Sequence, residues 1–195
     1  MPIELLNLLS ARNGHFKLES GHHSDLWLEL DQLFVRQREV HQFAHELADR
    51  LSGYGITAIC GPLAGGAFVA QIIAIKLDVE FYYTERFVLP TQDALYPVEY
   101  RLPKSLRKNI KGKAVAIVDD VINAGSAVRG TFEALKAAGA IPIVIGALLV
   151  LGTAATDYFA AHNIPIKTVA QHSNNLWTAS ECPLCKAGIS LEDVS

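Results

Sequence analysis

The sequence predicts an α/β fold, a doubly wound parallel sheet with helices on both faces. Three observations carry this expectation. Short apolar, β-branched runs alternate with helix-period segments from residue 57 to residue 169, the pattern of consecutive βαβ units joined by right-handed crossovers. Between Lys136 and Asp157 there is no charged residue, but Gly139, Pro142, Gly146 and Gly152 divide the run. It reads as a helix end, a strand buried on both faces and a turn, not as a membrane span. Finally, the apolar run 115–118 stops at two adjacent carboxylates, Asp119 and Asp120. Ligands of open α/β sheets bind beyond the carboxyl ends of strands.

Each element follows from local pattern. Residues 3–11 have helical spacing. Two short extended segments, 16–18 and 26–30, flank Gly21 and the polar His22-His23-Ser24-Asp25, as in a hairpin. In 38–51 the apolar positions are Val40, Phe43, Ala44, Leu47, Ala48 and Leu51, a period of about 3.6; Gly53 and Gly55 end that helix. Strands are then expected at 57–60, 79–83, 115–118, 141–150 and 166–169. Helices are expected at 65–77, 126–138 and 153–162. Residues 87–111 interrupt this series. They hold Pro90, Pro97 and Pro103 with Arg101, Lys104, Arg107, Lys108 and Lys111. So long a connection in a compact domain reads as a functional lid.

The 195 residues fit one domain: a hood at 1–34, a core at 35–170 with the lid at 87–111, and a terminal segment at 171–195. Half the residues are hydrophobic, enough for a sizeable core. A net charge of −3 gives no broad basic footprint for nucleic acid. The opening residues carry Glu4 and no basic stretch, so they read as an amphipathic helix and not a signal peptide. Three cysteines, Cys60, Cys182 and Cys185, suit a reducing cytoplasm without a disulfide framework.

The chemistry is concentrated at the strand ends. Asp119 and Asp120 can accept hydrogen bonds from vicinal ribose hydroxyls. The small loop Asn123-Ala124-Gly125-Ser126-Ala127 can hold a phosphate through backbone N–H groups, the Ser126 hydroxyl and a helix N-terminus. A second loop, Gly61-Pro62-Leu63-Ala64-Gly65-Gly66, also follows a strand and opens a helix. Its amides at Ala64, Gly65 and Gly66 can face a pyrophosphate. The first loop has no Lys, so it is not a Walker A loop, and no Gly-x-Gly-x-x-Gly opens a helix.

Residues 115–131 resemble the 5-phosphoribosyl-1-pyrophosphate (PRPP) motif of type I phosphoribosyltransferases: four apolar residues, two acids, two apolar residues and a small-residue loop. The chain looks most like the orotate phosphoribosyltransferases. One branch of these shares the opening Gly14-His15-Phe16 through Ser20-Gly21 to His23-Ser24-Asp25. It also shares Ala64-Gly65-Gly66, Glu85-Arg86, Tyr100-Arg101-Leu102 and a terminal Cys182-Pro183-Leu184-Cys185. The chain departs from the wider family at Glu19, where many members have Lys. It departs again at Leu151-Gly152, where an Asp-Arg pair is common and its Arg meets the orotate carboxylate.

The resemblance implies the type I phosphoribosyltransferase fold with a small hood and a long lid loop. It implies Mg-dependent transfer of 5-phosphoribosyl from PRPP to a nitrogenous base, foremost orotate, giving orotidine 5′-phosphate. A transferase for another base, or a PRPP-binding regulator without catalysis, is the alternative. PRPP would bind Ala64, Gly65, Gly66, Arg86, Asp119, Asp120 and residues Asn123, Ala124, Gly125, Ser126 and Ala127. Arg101, Asp119 and Asp120 would be catalytic, with Arg101 donated across a homodimer interface. Ser20, His22, His23 and Trp27 are candidates for the base. Mg²⁺ would be held mainly through PRPP, with no direct protein ligand. Cys182 and Cys185 make half of a zinc site at best; another subunit would have to supply a second thiolate pair, and a reduced turn is the plainer expectation.

Overall fold

In the computed structural model of the chain, residues 5, 9–35, 37–88 and 98–194 are described. The hood opens with a hairpin of β1 (Ser10–Lys17) and β2 (His23–Glu29). Two helices follow, α1 (Asp31–Val35) and α2 (Gln37–Leu51). The core then runs β3 (Ala58–Pro62), α3 (Gly65–Leu77), β4 (Glu80–Val88), β5 (Val98–Arg101), β6 (Ala114–Ile122), α4 (Ser126–Ala137), β7 (Ile141–Leu151), α5 (Ala154–Ala161) and β8 (Ile166–His172). Three short pieces complete it: β9 (Leu176–Trp177), α6 (Pro183–Lys186) and β10 (Glu192–Asp193).

Among the described residues the large sheet has the order β5-β4-β3-β6-β7-β8, parallel except for β5 at one edge. Helices cover both faces, so its central strands are apolar on both sides. In β6, Ala116 and Val118 pack into one core with Phe43, Leu47 and Ile73 of α2 and α3. Val115 and Ile117 pack into the other with Val128, Phe132 and Leu135 of α4 and Phe159 of α5. The α2 positions picked out by period, Val40, Phe43, Ala44, Leu47, Ala48 and Leu51, are all buried. α3 meets the sheet through small and β-branched residues, Gly66, Ala67, Val69, Ala70 and Ile73. The hood forms a separate sheet ordered β10-β1-β2-β9.

Three expectations need adjustment. The helix expected at 3–11 falls largely outside the described residues, and β1 already begins at Ser10. β4 extends to Val88, beyond the expected end at 83, because β5 folds back on it with Glu85 opposite Arg101 and Val88 opposite Val98. The second half of the expected lid is therefore packed. Tyr100, Leu102 and Ile110 are buried, and they anchor residues 98–111 to the core. The prolines and cations of this stretch masked that apolar anchor. Residues 89–97, the rest of the lid apart from Phe87 and Val88, lie outside the described residues.

Ile117 is fully buried at the centre of the sheet. Ile117→Ala should lower unfolding free energy by about 2–5 kcal/mol, since a central strand cannot collapse into the cavity. Urea unfolding followed by circular dichroism measures this directly.

Candidate active site

The cleft sits at the carboxyl ends of β3 and β6. Its described lining includes Glu19, Ser20 and Trp27 of the hood, Ala64, Gly65 and Gly66 of the β3–α3 loop, Asp119 and Asp120 of β6, and residues 123–127. Twelve of the residues assigned from sequence are thus brought to one cleft: Ser20, Trp27, Ala64, Gly65, Gly66, Asp119, Asp120, Asn123, Ala124, Gly125, Ser126 and Ala127.

The two carboxylates are 6% and 7% exposed, so their charge is nearly desolvated. Backbone amides partly offset this. The Asp120 N–H donates to Asp119 Oδ1 at 3.0 Å, and the Val121 N–H donates to Asp120 Oδ1 at 2.8 Å. Burial, then the neighbouring Asp120, still holds the Asp119 carboxyl well above the usual carboxylate range. The facing loop must lack side chains. A Cβ at Gly65 would stand 2.1 Å from Asp120 Oδ2, and one at Gly66 would stand 2.6 Å from Asp119 Oδ1. The glycines therefore let acids and loop amides share one small space. Across from them Gly125, with φ at 84°, turns the phosphate loop into α4.

Glu19 joins the parts of the cleft. Arg86 Nε donates to Glu19 Oε2 at 2.5 Å, while Tyr100 Oη and Ser126 Oγ donate to Glu19 Oε1 at 3.1 and 2.8 Å. One carboxylate thus holds a hydroxyl and a guanidinium assigned to phosphate groups, an arrangement suited to an anion. Tyr100 reaches it by packing against α4 at Gly130, where a Cβ would stand 2.6 Å from the ring. The sequence marked Glu19 only as a departure, and Gly130 carried no signal. Asn174 was also missed. Its Nδ2 donates to Asn123 Oδ1 at 3.0 Å from 51 residues away, a separation no local pattern reveals.

Other assigned residues lie elsewhere. Arg86 is not in the described lining and reaches the cleft through Glu19. Arg101 lies on the edge strand β5, pairs with Glu99 at 2.6 Å and stacks over Phe87 at 4.6 Å, outside the lining of its own cleft. His22 is half-buried beside it, with Nδ1 3.1 Å from Ser20 Oγ. Burial, then the charge of Arg129, lowers its pKa. His23 is turned away from the cleft: its Nδ1 lies 3.0 Å from His15 Nε2 and 3.3 Å from Cys185 Sγ. As a base contact it is corrected by strand register, which puts it on the face shared with His15.

The remaining wall is apolar. Phe34 and Phe68 meet edge to face at 5.2 Å, and Leu63, Leu28 and Leu151 join them in the lining. A cleft with a desolvated acid pair, two amide-rich turns and an aromatic wall suits a phosphorylated sugar beside a flat ring.

Comparison with known proteins agrees with this geometry. The model of the phosphoribosyl transferase domain matches residues 29–182. The orotate phosphoribosyltransferase of Caldanaerobacter subterraneus subsp. tengcongensis is 29% identical over 190 residues, covering 97% of this chain and 93% of that protein. The orotate phosphoribosyltransferase of Thermotoga maritima is 28% identical, covering 92% and 88%. Among solved structures, an adenine phosphoribosyltransferase from Thermoanaerobacter pseudethanolicus superposes with a TM-score of 0.68 at 15% identity, over 88% of this chain and 100% of that one. The orotate phosphoribosyltransferase of Aeropyrum pernix gives 0.63 at 21% identity, over 85% and 88%. The parallel sheet, the acid pair at its central strand end and a domain match over most of the sequence lead to one conclusion: the chain belongs to the phosphoribosyl transferase domain family.

Proposed function

We propose that the protein transfers the 5-phosphoribosyl group of PRPP to a nitrogenous base, with orotate the first candidate and orotidine 5′-phosphate the product. The observation that carries this is the buried pair Asp119 and Asp120, held against Gly65 and Gly66 and opposite the 123–127 loop. In this reading the loop amides and Ser126 hold the 5-phosphate. The two carboxylates accept hydrogen bonds from the ribose hydroxyls. The Gly65 and Gly66 amides face the pyrophosphate.

The bond from the anomeric carbon to the pyrophosphate oxygen breaks, its electron pair leaving with pyrophosphate. A ring nitrogen of the base forms the new bond from the opposite face and then loses its proton. Positive charge on the sugar in the transition state is favoured by the acid pair, and the amides meet the negative charge growing on the leaving oxygens. The hard carboxylate oxygens suit Mg²⁺. That ion would be held mainly through PRPP oxygens, near Asp119 and Asp120, and would supply positive charge to the leaving group. Glu19 must release Ser126 and Arg86 for these groups to meet phosphate, since each now donates to it.

One observation favours a second reading of the acceptor. No Lys or Arg is among the described residues lining the cleft, and Leu151 lies in it. A ring without a carboxylate would fit that wall more easily than orotate. Pyrophosphate release from PRPP and Mg²⁺ should be measured against a panel of bases. Turnover with orotate is expected. Preference for a neutral base would favour the second reading, and tight PRPP binding with no turnover on any base would make the protein a regulator.

Residues at the β4–β5 edge support a shared site. Arg101 is exposed there, outside its own cleft. We place it in the cleft of a partner protomer within a homodimer. A cytoplasmic location accords with three cysteines that form no disulfide. No described helix is long and apolar enough to cross a membrane.

The double variant Asp119→Asn with Asp120→Asn should lose PRPP binding in calorimetry. Because Asp119 is raised, the folded chain holds its proton more tightly than the unfolded one. Its contribution to stability is present at low pH and is lost as pH rises through the raised value. The variant should therefore melt at the same or a higher temperature than the parent at neutral pH. A second prediction concerns Arg101→Ala, which should lower kcat by roughly 100-fold with little change in PRPP affinity. Mixing it with an Asp119→Asn chain should restore activity by forming one intact site per heterodimer.

A further inference from the structure

We propose that His15, His23, Cys182 and Cys185 form a structural zinc site that fastens the terminal segment to the hood. Their ligand atoms all lie within 4.8 Å of one another. His15 Nε2 lies 3.0 Å from His23 Nδ1, 3.3 Å from Cys182 Sγ and 3.6 Å from Cys185 Sγ, and His23 Nδ1 lies 3.3 Å from Cys185 Sγ. Zinc bonds of about 2.0–2.1 Å to nitrogen and about 2.3 Å to sulfur put tetrahedral ligand atoms about 3.3–3.8 Å apart. The four distances of 3.0, 3.3, 3.6 and 3.3 Å lie close to those of that cage, and the other two pairs stay within 4.8 Å. The second half of the site thus comes from the two hood histidines, not from another subunit.

Hydrogen bonding alone does not account for the cluster. His15 Nδ1 donates to the Ile189 carbonyl at 2.8 Å. That contact commits the ring proton and leaves Nε2 with a single lone pair. Three groups converge on this lone pair, and it can accept from one. A cation at the centre satisfies all four ligand atoms, and the Ile189 contact is the outer support that metal-bound imidazoles use. Two thiolates would balance the charge of Zn²⁺. His15, His23 and Cys182 are 3%, 4% and 0% exposed, so the site is closed on three sides. A closed tetrahedral N₂S₂ set is the structural zinc type.

The local folding serves this arrangement. A bulge shifts the β1–β2 register between Asn13 and Phe16, so that Lys17, not Phe16, pairs with His23. His15 lies two residues before Lys17 and so shares the face of His23; without the shift the two histidines would point to opposite faces. Cys182 precedes α6 and Cys185 lies within its single turn, with Pro183 fixing its start. The strands that supply the histidines also carry cleft residues: Leu26, Trp27 and Leu28 lie on β2, and Glu19 and Ser20 lie in its turn. The metal would therefore brace the wall of the cleft from behind.

The test uses the full chain purified without added metal. Elemental analysis should find about one zinc per chain. After chelator stripping, with folding checked by circular dichroism, added Co²⁺ should give the visible bands and thiolate charge-transfer absorption of a tetrahedral N₂S₂ site. Stripping should lower the melting temperature, and Zn²⁺ should restore it. Cys185→Ser, at the exposed corner, should weaken Co²⁺ binding by at least about 100-fold and abolish the chelator's effect on melting. His23→Ala should do the same and serves if the first variant misfolds. Overturning results are a folded, stripped chain that binds Co²⁺ no better than Cys185→Ser, or a metal-free protein with Cys182 and Cys185 joined as a disulfide.

Discussion

Two carboxyl groups buried side by side set the terms for the rest of this molecule. Asp119 and Asp120 stand at the end of the central strand, where apolar packing on both faces leaves them little water. Such a pair is costly unless something nearby needs it. Its neighbours are arranged to tolerate it: amides of 120 and 121 donate inward, and the β3–α3 loop has no side chain to collide with the carboxylates. The position of β3 next to β6 is what brings that loop within reach. The sheet order and the glycines answer the same requirement.

Glu19 plays a complementary role at the cleft's other wall. Without substrate it offers a carboxylate to the hydroxyl of Ser126, the guanidinium of Arg86 and the phenol of Tyr100. Hood, phosphate loop and the β4–β5 edge are thereby held together by one side chain. In the proposed reading a phosphate at Ser126 would compete with it, which would link substrate entry to hood position. In that reading an acid stands where the 5-phosphate would bind.

The core was legible because its signals are local. Period-3.6 spacing in α2, the charge-free run that became β7 and the acid pair near the end of β6 are each carried by residues close together in sequence. The acid pair and both loops were readable for the same reason. What escaped was long-range. The second half of the lid gave no sign of an anchor among its prolines and cations, yet Tyr100, Leu102 and Ile110 are buried in the core. Asn174 reaches Asn123 across β7 and β8. His23 looked like a base contact because it sits in a polar turn, but it faces His15, and a one-residue register shift in β1, invisible in composition, puts the two on one face. Cys182 and Cys185 read as half a motif because their partners lie some 160 residues earlier.

The hood sheet has a consequence for the order in which the chain can be assembled. β1 pairs in parallel with β10, Phe16 opposite Glu192 and Lys17 opposite Asp193, and β2 pairs with β9. A ribosome delivers β1 and β2 early and β9 and β10 last. Through most of synthesis the hairpin's outer edges have no strand to pair with, while β3 to β8 can already pack around their own helices. The parallel core therefore matures first, and the hood closes over it after residues 176–193 emerge. Closing so long a loop is slow in entropic terms. The hood sheet is thus completed only once β9 and β10 have emerged, and a nascent chain halted before that point would carry the acid pair and the β1–β2 hairpin without the outer strands of the hood.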